Sequence, residues 1–188
     1  MHKKYLTKNN KRRIVVGITG ATGSIYAIRM LEILKLIPKI EIHLIISKPG
    51  ILNIFYELNI DKKNIYNLSD FNHNINDISS LLASGSFKTI GMIIIPCSTR
   101  TLSAIANGMS DNLITRSAEV TLKERRPLLI IVREAPFNLS HLRNMLILTK
   151  MNSIIFPPLI SFYNYSNSIE QMINENIYRF LNIMNIYF

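Results

Sequence analysis

Three short segments of this chain gather the residue types that bind and transform anions. Gly17-Ile18-Thr19-Gly20-Ala21-Thr22-Gly23-Ser24 spaces its glycines three apart, which lets backbone N–H groups approach a negative group at the amino end of a following helix. It is not the dinucleotide-binding G-x-G-x-x-G pattern, and no acidic residue closes the next strand to hold a ribose, so a tight turn without a ligand also explains these residues. Pro96-Cys97-Ser98-Thr99-Arg100-Thr101 sets three hydroxyls around a guanidinium, a donor set suited to phosphate or a polar ring edge. Its plainer reading is a helix start capped by Ser98 or Thr101. Arg133-Glu134 follows an apolar run, where a cation beside an acid can hold an anion and manage a proton.

Other reactive types read more quietly. Cys97 adjoins an apolar run with no base beside it, which suits a packed residue better than a nucleophile. His2, His43, His73 and His141 have no metal-ligand spacing, and His43 falls inside a strand, where a structural role is expected. Arg125 and Arg126, in Lys123-Glu124-Arg125-Arg126, are expected to be solvated charges stabilising a helix end. Pro157-Pro158 and Phe162-Tyr163 make a stiff aromatic loop in which Tyr163 offers a phenolic donor.

The elements that must position these segments alternate between apolar runs and amphipathic stretches, the pattern of a parallel sheet covered by helices. Strands are expected at 13–18, 40–46, 89–96, 127–132 and 153–156, the third fully apolar at Met92 to Ile95. Helices are expected at 24–36, after Ser47 as cap, at 101–107, 111–123, 139–149 and 169–184. Residues 59–76, rich in Asn, Asp and Lys, read as loop with some helical content. In such a sheet the loops leaving the carboxyl ends converge where strand order reverses, and the segments above are those loops.

Composition sets the outer limits. At 188 residues and 48% hydrophobic, the chain has the material for one domain with a substantial core. Its apolar runs fall far short of the roughly 20 residues that a membrane-spanning helix needs. One cysteine and no signal-peptide pattern point to an unprocessed cytoplasmic protein. The net charge of +10 invites a nucleic-acid or anionic-membrane reading, but six of those charges lie in the first thirteen residues. Residues 1–12 are therefore read as a solvated basic leader and 13–188 as the folded domain.

Six stretches together, V-G-I-T-G-A-T-G-S-I-Y, L-I-I-S-K, S-G-S-F-K-T-I-G-M-I-I-I-P-C-S-T-R-T-L-S, L-I-T-R-S-A-E-V-T-L-K-E-R-R-P-L, V-R-E-A-P and I-F-P-P-L-I-S-F-Y, resemble the flavin prenyltransferase family (UbiX/Pad1 type) from about residue 13 to 180. The resemblance implies a single-domain Rossmann-like (flavodoxin-like) three-layer α/β fold with a mainly parallel sheet. It implies an FMN site at Gly20, Ala21, Thr22, Ser47, Ser98, Thr99, Arg100, Thr101 and Arg133. A phosphate pocket for dimethylallyl monophosphate is implied at Tyr163, Arg179, Lys123 and Arg116, with Glu57, Glu134 and Thr22 as catalytic residues. The implied reaction is metal-independent joining of the dimethylallyl group to N5 and C6 of reduced FMN, with release of phosphate. The product, prenylated FMN, serves a partner decarboxylase of the UbiD type, one such use being ubiquinone biosynthesis, and members form homo-oligomers, commonly dodecamers.

The chain departs from the family at Thr22, where many members have Ser, and it stops at Phe188, where longer relatives continue. Sibling cysteine decarboxylases would show a His soon after the second strand and a P-A-S-A-N-T-like turn, neither of which is present. A basic RNA- or lipid-binding protein and a flavin carrier without chemistry are the readings from other classes.

Overall fold

The computed structural model describes residues 11–161 and 168–187. Tyr163 and the first ten leader residues lie outside them. Among the described residues six strands form one parallel sheet: β1 (Arg12–Ile18), β2 (Ile40–Ile46), β3 (Phe71–His73), β4 (Gly91–Cys97), β5 (Leu128–Val132) and β6 (Ser153–Ile155). Their order is β3-β2-β1-β4-β5-β6, so the chain reverses direction across the sheet between β1 and β4. Without the three-residue edge strand β3, the other five keep the flavodoxin-like order.

Alternation along the strands assigns side chains to two layers. Ile14, Val16 and Ile18 join Ile42, Leu44, Ile93, Ile95, Leu129 and Ile131 in a core covered by α1 (Ser24–Lys35), α2 (Lys48–Leu58), the short α3 (Lys62–Tyr66) and α7 (Ile169–Ile183). Val15, Ile45, Met92, Ile94, Leu128, Ile130 and Val132 face the opposite way, towards α4 (Thr99–Ala106), α5 (Leu113–Lys123) and α6 (Leu139–Lys150). Because both faces are covered, β2 and β4 are buried along their whole length, β4 almost wholly apolar and β2 interrupted only by Glu41 and His43.

Several local outcomes differ from the sequence reading. β1 begins at Arg12, whose guanidinium reaches the Asn185 carbonyl, and Arg13 pairs with Glu41 at 2.9 Å. The leader's last charge, Arg12, is therefore part of the folded body. The 59–76 segment contains α3 and the edge strand β3, whose Phe71-Asn72-His73 is too short to show a period. Arg126 is not a solvated helix-end charge: its side chain is 16% exposed and donates to the carbonyls of Gly85 at 2.7 Å and Phe87 at 2.9 Å. That tie fastens the chain before β4 to the end of α5.

Candidate active site at the strand carboxyl ends

At the carboxyl ends of β1, β2 and β4, where the order reverses, lies a cavity of about 350 Å³. Gly20, Ser47, Ser98, Arg100 and Thr101, all expected from sequence, line it together with Thr19, Asn112 and an apolar wall that includes Ile75 and Ile114. Among the described residues no acid lines it. Hydroxyls, amide and guanidinium make an acid-free donor set, which suits a phosphorylated ligand such as a flavin mononucleotide.

Local chemistry explains why these side chains meet. Gly20 is required by close approach: a Cβ there would stand 2.4 Å from the Pro49 Cβ, whose ring is fixed by the backbone. Ser47 caps α2 by accepting from the Gly50 N–H at 3.0 Å, and Ser98 caps α4 by accepting from the Thr101 N–H at 3.4 Å while donating to the Thr101 hydroxyl at 3.2 Å. Thr19, 3% exposed, joins the two strand ends: its hydroxyl donates to the Pro96 carbonyl at 2.8 Å and accepts from the Ser98 N–H at 2.8 Å. A register shift between β4 and β5 at Ile94 to Cys97 re-aims the same turn. Arg100 is paired with Asp111, directly before the cap of α5.

Glu57 contributes in a way that spacing does not announce. Its carboxylate, reaching from the last turn of α2, accepts from the Gly23 N–H at 3.1 Å and the Ser24 N–H at 2.8 Å. The amino end of α1 thus holds a carboxylate of this chain itself, in the place where the glycine loop invites an anion. Gly23, at φ 92°, sits in the left-handed region that makes this turn. Thr22 is exposed immediately before it, and Ala21 is buried.

The remaining expected residues are placed less tightly. Thr99 opens α4, half-buried. Arg133 follows β5, its N–H bonded to the Cys97 carbonyl at 3.2 Å, which sets it beside the Ser98 turn with an exposed side chain. Glu134 accepts from the Ala135 N–H at 3.0 Å. The cations expected to form a phosphate pocket do not converge on the cavity within one chain: Arg116 bonds Glu119 at 2.8 Å, Lys123 lies 3.9 Å from Glu124, and the Arg179 guanidinium lies 5.1 Å from the Phe156 ring centre. Lys123 ends α5 about 15 Å along the helix from its start at the cavity.

Sequence reasoning placed Thr19 and Pro49 in site-forming loops without giving either a role, and did not assign Ile75, Asn112 or Ile114 to the site. Thr19 stood inside the glycine loop, and Asn112 before an amphipathic run was a legible cap, whereas nothing in 59–76 marked Ile75. Cys97 is wholly buried, and burial pushes its thiol far above the ordinary range, which leaves it packed and unreactive. Among the described residues no three of His, Cys, Asp or Glu cluster as metal ligands, and no helix is long and apolar enough to cross a membrane.

The model of the Flavoprotein family matches residues 2–177. Flavin prenyltransferase UbiX of Escherichia coli K12 is 41% identical over 170 residues, 90% of each chain. The crystal structure of AnUbiX (PadA1) in complex with FMN and dimethylallyl pyrophosphate superposes with a TM-score of 0.92 at 44% identity, covering 94% of this chain and 93% of that one. A dodecameric FMN-dependent UbiX-like decarboxylase from Escherichia coli O157:H7 superposes with a TM-score of 0.91 at 38% identity, covering 93% and 95%.

Proposed function

This chain belongs to the flavin prenyltransferases of the Flavoprotein family, and on that premise we propose that it joins the dimethylallyl group of dimethylallyl monophosphate to N5 and C6 of reduced FMN, releasing phosphate. The observation that carries the proposal is the acid-free cavity at the sheet reversal, lined by Gly20, Ser47, Ser98, Arg100 and Thr101. Reduced FMN supplies two nucleophilic positions, and the chain's own residues do the rest.

Ser47, Ser98, Thr101 and Arg100 hold the flavin, with Thr19 keeping the turns from β1 and β4 in register. Gly20, Ala21, Thr22, Thr99 and Arg133 complete its surroundings. Glu57, fixed on the amino end of α1 beside Thr22, is placed to take a proton, and Glu134 at the end of β5 is the second acid available. Breaking an allylic carbon–oxygen bond leaves positive charge on carbon and more negative charge on the departing phosphate, so cations at the phosphate favour the transition state.

Lys123, Arg116, Arg179 and Tyr163 are assigned that task. Since the three described cations stand away from the chain's own cavity, the proposal has them serve the cavity of a neighbouring copy in a homo-oligomer, a dodecamer on the pattern of the E. coli relative. The product goes to a UbiD-type decarboxylase, and the protein works in the cytoplasm. The test mixes purified protein with reduced FMN and dimethylallyl monophosphate without oxygen, then weighs the extracted flavin. A flavin heavier by one five-carbon unit is expected; unchanged flavin from folded, FMN-binding protein overturns the proposal.

A further inference from the structure

A second concavity of about 330 Å³ lies beside the flavin cavity, at the carboxyl ends of β2 and β3. Ile75 is common to the two, and Lys48 of the second directly follows Ser47 of the first. Lys48 and Lys62 both line it, and among the described residues no carboxylate does. Neither ammonium has an ion-pair partner among the described residues; Lys62 instead rests 5.1 Å from the centre of the Tyr66 ring. Three acids of the adjoining loops are held by hydrogen bonds of their own: Asp70 accepts from the Ile42 N–H at 2.8 Å, Asp77 from the Ser79 hydroxyl and N–H, and Asp61 from the Asn64 N–H at 2.7 Å.

The wall behind these lysines is unusually well fixed. His73 bonds Ser80 through Nδ1 at 3.0 Å and His43 through Nε2 at 3.0 Å. His43, fully buried, bonds Glu41 at 2.9 Å, and Glu41 bonds Arg13 at 2.9 Å. Both nitrogens of His73 are therefore engaged, and the opposite charges of Arg13 and Glu41 offset one another, so the positive character of the concavity comes from the two lysines. Ile46 and Ile51 give it an apolar floor.

We propose that this concavity is a second oxyanion site, which takes a small phosphomonoester between Lys48 and Lys62 with its organic body against Ile46 and Ile51. Two ammonium groups facing one space repel each other until an anion lies between them, and a phosphate dianion matches that pair in charge. Tyr66 and Asn76 line the same space and supply neutral donors. Free orthophosphate shares the recognised chemistry; only the floor distinguishes the two sources. The inference does not depend on prenyl transfer.

The test titrates the FMN-loaded full chain, by calorimetry, with inorganic phosphate and with isopentyl phosphate, a saturated ester that cannot ionise as an allylic one does. Lys62→Met and Asn76→Asp, both changes at exposed positions, are expected to weaken binding at least tenfold while FMN affinity stays within twofold. Tighter binding of the ester than of inorganic phosphate supports an organic ligand, and equal affinities assign the site to orthophosphate. Affinities unchanged in both variants, or no binding at millimolar concentration, overturn the inference. Lysine-dependent binding in a protein that transfers no prenyl group would leave it standing while the proposed reaction fell.

Discussion

Two residues at the flavin cavity do work that only contact geometry reveals. Gly20 is held against Pro49, so Gly20→Ala forces a methyl group into a proline ring that the backbone cannot move. The expected cost is about 1–3 kcal/mol of stability together with weaker FMN binding, read by thermal unfolding and flavin fluorescence. Glu57 is the anion at the amino end of α1, bonded to the Gly23 N–H directly after Thr22. Glu57→Gln keeps an acceptor oxygen but removes the charge, so stability should fall by about 0.3–1 kcal/mol. Prenyl transfer should fall roughly a hundredfold or more with FMN still bound, and full activity in that variant would remove Glu57 from the chemistry.

The edge formed by β2 and β3 carries the titration of the fold. Burial, reinforced by the neighbouring His43, lowers His73 to about 4, and burial likewise lowers His43 in spite of Glu41. For Glu41, burial opposes ionisation, but the hydrogen bonds and charges of His43 and Arg13 outweigh it and hold the carboxyl below its usual range. Asp70 and Asp77 are the other acids acting on this group, each favouring the charged histidine. An unfolded chain takes up protons on both histidines near pH 6.5 that the folded chain refuses, so stability should decline as pH falls from about 6.5 towards 4. Below its ordinary range the Glu41 carboxyl adds a further loss, because the unfolded state protonates it first. The unfolding midpoint followed from pH 7.5 to 4 checks this, and His73→Gln should flatten the upper part of the curve. A flat profile in the parent would mean that these imidazoles are hydrated in solution.

At the scale of the whole molecule, the covered sheet leaves apolar side chains outside it. Leu139, Leu142 and Leu146 are exposed on α6, and Leu52, Phe55 and Tyr56 on α2, on opposite layers of the fold. Solvent exposure of that many large apolar groups favours association, in keeping with the proposed homo-oligomer whose copies share phosphate-binding cations. Light scattering should give a particle near twelve times the 21.6 kDa chain. Leu146→Lys should reduce the assembly and, with it, prenyl transfer, while FMN binding is weakened far less. A monomer that retains full turnover would refute both the shared site and the assembly.

Periodicity determined most of this protein, because largely apolar strands and one-sided helices leave few ways to bury both faces of a sheet, and Ser47 and Ser98 were legible as caps since capping is a local bond. Joint occurrence of the six matched stretches carried a family resemblance, and that resemblance, not chain order, named the site residues. Tertiary structure decided what depends on approach between distant segments: that Glu57 closes on the α1 amino end, that Thr19 ties β1 to β4, that Ile75 forms a wall. It also turned Arg126 inward, gave His43 a buried line of partners and made β3 from three residues, since contacts across the chain, and not local pattern, supply the energy for each.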